Sequence, residues 1–121
     1  MRRDAQRLLD IVVAAEVVEA YLQQINREDF LAEGLAHDAI LRQLTVVGEA
    51  AYKVSQEIRA RHLEVPWGQI ASFRHRVVHD YFGLDFGAIW HFATVELPFL
   101  KEQAIAIIEL EFPEEAAGRQ D

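Results

Sequence analysis

The chain has 121 residues, 51% hydrophobic and 26% charged, with three prolines and no cysteine. That suits one compact domain with a core of its own and excludes disulfide frameworks, thiolate metal sites and cysteine nucleophiles. Twenty acidic residues against twelve basic ones, a formal charge of −8, argue against a protein that coats nucleic acid without specificity, but a local basic site stays open. No apolar run approaches the roughly 20 residues needed to span a bilayer, because Glu16, Glu19 and the Gln23-Gln24 pair interrupt the most hydrophobic early stretch. Met1-Arg2-Arg3-Asp4 leads into a charged, periodic segment and not into a signal peptide. The expected location is cytoplasmic, away from membranes.

From about Asp4 to Ile25, apolar residues recur at Leu8, Ile11, Val12, Ala15, Val18, Leu22 and Ile25, the spacing of one face of a long helix. Asn26 is expected to end it. A second long helix is expected through Ile40, Leu44, Val47, Ala51, Val54 and Ile58, which alternate steps of three and four. Gly48 inside it costs about 1 kcal/mol relative to alanine unless it permits a close helix approach, so it reads as a packing glycine.

Pro66 fits the first turn of a third helix, where its missing N–H has no intrahelical partner. That helix runs through Ile70, Phe73 and Val77 and frays between Tyr81 and Leu84, with Gly83 as its stop. Asp85 is placed to cap a final helix bearing Ile89, Ala93, Leu97, Leu100, Ala104 and Ile107, kinked at Pro98. Together these elements predict an all-α, up-and-down bundle of four to five helices, a single domain over residues 1–112. The segment 113–121 is expected to be a disordered tail.

A bundle by itself implies no chemistry. The informative stretch is Phe73-Arg74-His75-Arg76-Val77-Val78-His79-Asp80-Tyr81, dense in polar groups at the end of one short helix. Between Ala51 and His79 lie Lys53, Arg59, Arg61, Arg74 and Arg76 against Glu57 and Glu64, so the one basic region adjoins the histidines. These cations either hold phosphate or form ordinary surface pairs.

Arg74 and His79 offer phosphodiester cleavage. An imidazole titrates near neutrality and can take a proton from a ribose 2′-hydroxyl or deliver one to the leaving oxygen. A guanidinium grips phosphate oxygens while negative charge develops. On a regular helix the pair stands roughly 140° apart around the axis. Either the arginine reaches around, or the helix end deforms, or a second copy completes the site.

The wider pattern gives the motif its meaning. Val47-Gly48-Glu49-Ala50-Ala51, Val65-Pro66-Trp67 leading to Ile70, Arg74-x4-His79-x-Tyr81, then Phe82, Asp85, Ile89-Trp90 and Leu97-Pro98 resemble the HepT-like ribonuclease toxins of the HEPN superfamily. The resemblance extends from the first long helix to Leu100. It implies a bundle that forms a homodimer across the motif helices and cleaves RNA without metal through Arg74 and His79. It also implies a partner, a minimal nucleotidyltransferase antitoxin of the MntA type, that transfers AMP from ATP to Tyr81. No cofactor is implied.

His75 departs from the asparagine or other polar residue common after the motif arginine, and with Arg76 it is assigned a supporting role in substrate binding. His75 and His79 also have the i, i+4 spacing of a metal pair beside Asp80, but no HExxH or second Glu-x-x-His half accompanies them. Glu49 either orients an arginine across the bundle or is a structural acid. His37, His62 and His91 read as surface or interface residues, and Trp67 and Trp90 as core or interface fillers. Two alternatives stay beside the ribonuclease. One is a non-catalytic module that binds RNA or a nucleotide, or docks a nucleotidyltransferase; the other is a metal-dependent phosphohydrolase.

Overall fold

The computed structural model describes residues 2–120. Helix α1, Arg2–Leu22, buries Ala5, Leu8, Ile11, Val12, Ala15 and Val18, the stripe its periodicity predicts. It stops at Leu22, and Asn26 opens the next helix instead of closing this one. Asn26 Oδ1 accepts from the Asp29 N–H at 2.9 Å and Asp29 Oδ2 from the Asn26 N–H at 2.9 Å, the reciprocal box that starts α2, Arg27–Leu31.

Helix α3 spans Leu35–Lys53 and turns Ile40, Leu41, Leu44, Val47 and Ala51 inward. The unbroken helix expected as far as Ile58 is divided here, with α4 covering Gln56–Arg61. Ser55 makes the break: its hydroxyl accepts from the Ile58 N–H at 3.3 Å. Asp4, only 3% exposed, accepts from Ser55 N–H at 2.8 Å and Oγ at 2.7 Å. On the other side of the break, the Arg59 guanidinium donates to the carbonyls of Val54, at 2.9 Å, and Tyr52, so the last carbonyls of α3 are capped. Val54 and Ile58 remain in one core, and the periodicity therefore runs on across the gap.

Helix α5 covers Trp67–His79, with Pro66 immediately ahead of it. A Cβ on Gly48 would lie 3.0 Å from the Ile70 carbonyl oxygen and 3.2 Å from the Arg74 nitrogen. Glycine there lets the α5 backbone come up against α3. Trp67 is buried and donates its indole N–H to the His62 carbonyl at 2.9 Å. His62 is buried within the chain too, contrary to its surface or interface reading, with Nε2 2.7 Å from Glu111 Oε2, while Arg61 Nη1 reaches Glu111 Oε1 at 2.9 Å.

A 3₁₀ turn, Tyr81–Gly83, follows α5. Gly83 does not act as a left-handed stop, since no glycine among the described residues has positive φ. It makes room for Asp80, whose Oδ1 would stand 2.5 Å from a Cβ at that position. Asp85 caps α6, Phe86–His91, by accepting from the Ala88 N–H at 3.1 Å. A π-turn over Phe92–Glu96 then runs into α7, Leu97–Glu111. The expected disruption at Pro98 lies ahead of the proline, in that wider turn, which absorbs the missing N–H and ring crowding.

The segment expected to be disordered is helical. Pro113–Gln120 form α8, with Pro113 at its start and Glu114 and Glu115 in its first turn, where a fixed φ and acidic charge favour initiation. Phe112 and Ala116 pack against the core; Asp121 lies outside the described residues.

Helix α3 packs against both α1 and α5, and α1 also packs against α7. The described residues thus form an all-α bundle of four helical rods, the last built from α6, the π-turn and α7. Between α5 and that last rod, over Leu44 and Val47 of α3, lies a groove of about 480 Å³ lined by Ile70, Phe73, Phe92 and Phe99. Among the described residues no helix is long and apolar enough to cross a membrane.

Candidate active site on the motif helix

Arg74 emerges from α5 beside Gly48, where the α5 backbone comes up against α3. Its Nη1 lies 3.0 Å from Glu49 Oε2, and its guanidinium carbon sits 4.2 Å from the centroid of the Tyr52 ring. A carboxylate and an aromatic face one turn apart on α3 thus hold a cation that is still 37% exposed. Glu49 also pairs with Lys53 at 3.1 Å. The Lys53 ammonium, with Arg74 adding its charge and outweighing partial desolvation, draws the Glu49 carboxyl below its usual range.

His79 is the last residue of α5 and is exposed. Its ring lies 4.4 Å, centroid to centroid, from that of His75, also exposed. Helical geometry holds as far as His79, so the helix end does not deform to bring it to Arg74, and Arg74 is folded back onto α3. The two stand roughly 140° apart around one axis. Arg76 is exposed and lines the groove on the far side of α5 with Glu64, Gln69 and Asp85; it does not join Arg74.

The rest of the basic region is engaged within the chain. Lys53 pairs with Glu49, Arg59 caps α3, and Arg61 bridges Glu57 and Glu111. On the motif helix Arg74 is held by Glu49 and Tyr52 yet stays partly exposed, and Arg76 is exposed. The i, i+4 histidines do lie side by side, but no group of three His, Asp or Glu side chains placed to hold a metal occurs among the described residues.

Tyr81 is half-buried and its hydroxyl turns inward, 3.1 Å from Nε2 of His37. His37 is 0% exposed and its Nδ1 stands 3.0 Å from the Phe30 carbonyl oxygen, so its surface or interface reading is corrected to a core position. Its phase held the clue: His37 falls on the same α3 face as buried Ile40, Leu41 and Leu44. Tyr52 was also missed, and it shares the Gly48–Glu49 side of α3 at i+3 and i+4. Burial, reinforced by the charges of Glu33 and Asp38, pushes the Tyr81 hydroxyl above its ordinary range. His91 is exposed.

The model of the Ribonuclease HepT-like family matches residues 11–107, from within α1 to the body of α7. The chain belongs to the HepT-like ribonuclease family. Its HepT-like relatives include the "Probable ribonuclease HepT" of Thermococcus cleftensis, 34% identical over 78% of this chain and 86% of that one. A Caldanaerobacter subterraneus protein named as an RNase is 32% identical over 92% of this chain and 99% of its own length. A Methanocaldococcus jannaschii protein named for both a γ-glutamylcyclotransferase and an RNase is 31% identical over 90% of this chain. The chain spans only 50% of that relative's length. No solved structure matches.

Proposed function

We propose that this HepT-like ribonuclease is the toxin of a toxin–antitoxin pair, a metal-independent RNA endonuclease acting through Arg74 and His79. The observation that carries this is Arg74, held by Glu49 and Tyr52 yet partly exposed, on the same short helix that ends in exposed His79. In the reaction the ribose 2′-hydroxyl attacks the adjacent phosphorus and the bond to the 5′-oxygen breaks. His79 takes the hydroxyl proton or supplies the one the leaving oxygen needs, with solvent water making the other transfer, and Arg74 neutralises charge on the non-bridging oxygens. His75, stacked beside His79, and Arg76 support substrate binding.

The active form is a homodimer in the cytoplasm. Arg74 and His79 of one chain diverge around the helix axis, so a second copy across α5 is the arrangement that sets an arginine against a histidine. Val78 and Phe82, 72% and 98% exposed beside His79, are apolar surface of the kind such a contact covers. Tyr81 is the site at which an MntA-like nucleotidyltransferase places AMP, adding bulk and phosphate charge two residues from His79.

The test is cleavage of total RNA in excess EDTA by wild type, Arg74→Ala and His79→Ala. Cleavage by the wild type alone, leaving 2′,3′-cyclic phosphate ends, is the expected result; equal cleavage by His79→Ala overturns the assignment. Incubation with ATP and the antitoxin should add AMP mass to the peptide carrying Tyr81 and not to its Tyr81→Phe counterpart.

A further inference from the structure

The tautomer of His37 sets the direction of the hydrogen bonds around it. The Phe30 carbonyl accepts only, so Nδ1 of His37 carries the hydrogen. In that tautomer of the neutral ring Nε2 is a bare acceptor. Tyr81 must therefore donate its phenolic proton to Nε2. The two rings lie edge to face at 6.4 Å, and Phe86 packs against both, at 4.6 Å from His37 and 5.6 Å from Tyr81.

This seat anchors a short length of chain that matters. Tyr81 opens the 3₁₀ turn whose bonds, Gly83 N–H to Asp80 O and Leu84 N–H to Tyr81 O, are each 3.1 Å, and whose start lies two residues beyond His79. Asp80 between them has left the helix, with φ −145° and ψ 44°.

We infer that His37 is a positioning residue for RNA cleavage: through its hydrogen bond from Tyr81 it seats the turn that fixes His79 at the end of the motif helix. The inference rests on the assignment of His79 as a catalytic residue. It also states how a substituent on the Tyr81 oxygen acts. Replacing the phenolic hydrogen removes the one donor to Nε2, and a buried acceptor cannot be left unpaired without cost. The tyrosine must leave its seat, and the end of α5 is released with it.

The experiment is a double-mutant cycle in which His37→Leu removes the acceptor at similar volume and Tyr81→Phe removes the donor while keeping the ring. Each single variant should lose roughly tenfold in kcat, the scale of one buried hydrogen bond, with KM unchanged. The double variant should lose no more than either single one. Losses that multiply in the double variant, or an unchanged kcat in both singles, overturn the inference. ¹⁵N spectra of the imidazoles should show His37 as the Nδ1–H form, with its Nε2 resonance shifted in Tyr81→Phe; an unmoved resonance also overturns it. If His37→Leu does not fold, kcat and the Nε2 shift of Tyr81→Phe decide alone. His79→Ala separates the two assignments. Undiminished cleavage by that variant ends the catalytic assignment and this inference together. Loss of cleavage there, with unchanged kcat in Tyr81→Phe, ends this inference only.

Discussion

Glu49 and Arg74 sit on different helices, and the 3.0 Å contact between Oε2 and Nη1 exists because the residue before Glu49 is glycine. Without the Gly48 side chain, the α5 backbone approaches to where a Cβ would stand 3.0 Å from a carbonyl oxygen. The close approach delivers Arg74 to the carboxylate of Glu49 and the ring of Tyr52.

Gly48→Ala should therefore act on stability and activity together. The neighbours that would have to move are backbone atoms, at 3.0 and 3.2 Å, and overpacking of this kind costs about 1–3 kcal/mol. Urea denaturation should show that loss, and cleavage should fall with it because α5 carries Arg74.

Glu49→Gln should separate the two effects. The pair is substantially exposed on both sides, so the ion pair contributes at most about 1 kcal/mol to folding and the melting temperature should barely move. Cleavage should drop between about tenfold and a hundredfold, because an arginine that is no longer directed reaches the phosphate less often in a productive pose. Equal activity in Glu49→Gln and wild type would make Glu49 a structural acid.

Arg74→Lys and His79→Ala should each reduce the rate of RNA cleavage by about 10²- to 10⁴-fold. A lysine cannot reproduce the planar two-point grip of a guanidinium or its stacking on Tyr52. Since His79 is exposed, His79→Ala should keep its stability to within about 0.5 kcal/mol and should still bind RNA in a filter assay.

Acid should weaken the tie between α7 and the α4–α5 connection. The hydrogen bond from His62, with the charge of Arg61 in support, lowers the folded pKa of Glu111. A carboxylate held low contributes stability in full above its unfolded-chain pKa and loses it as pH falls through the folded value. Glu111→Gln should abolish that part of the acid dependence, so the stability difference between variant and wild type should shrink as pH is lowered from 6 towards 3. A constant difference would disconnect Glu111 from the acid response.

The anchors legible from the chain were those whose signal is local. Leu8, Ile11, Val12, Ala15 and Val18 marked a buried helix face because helical phase is written in the spacing of apolar residues. Gly48 stood out as a packing position because glycine inside a helix needs such a reason. The Arg74-x4-His79-x-Tyr81 pattern was readable for the same cause.

What escaped depended on partners remote in sequence. The break at Ser55 is stabilised by Asp4, 51 residues away, while Val54 and Ile58 keep the helical phase across it. The helix over Pro113–Gln120 gains a packing surface at Phe112 and Ala116 that composition alone did not disclose. The phase of His37 on α3 could disclose its burial, but its partner Tyr81 lies 44 positions on and meets its ring only in the folded chain.

The sequence by itself determined an all-α chain with its polar chemistry concentrated at the end of one short helix, because periodicity and motif spacing are properties of neighbours. Only the tertiary structure decided that Arg74 faces Glu49 and Tyr52, that Arg76 turns to the opposite groove, and that Tyr81 hangs from a buried histidine. Those relations arise from how whole helices pack, and a packing geometry is selected by the burial of all their faces at once.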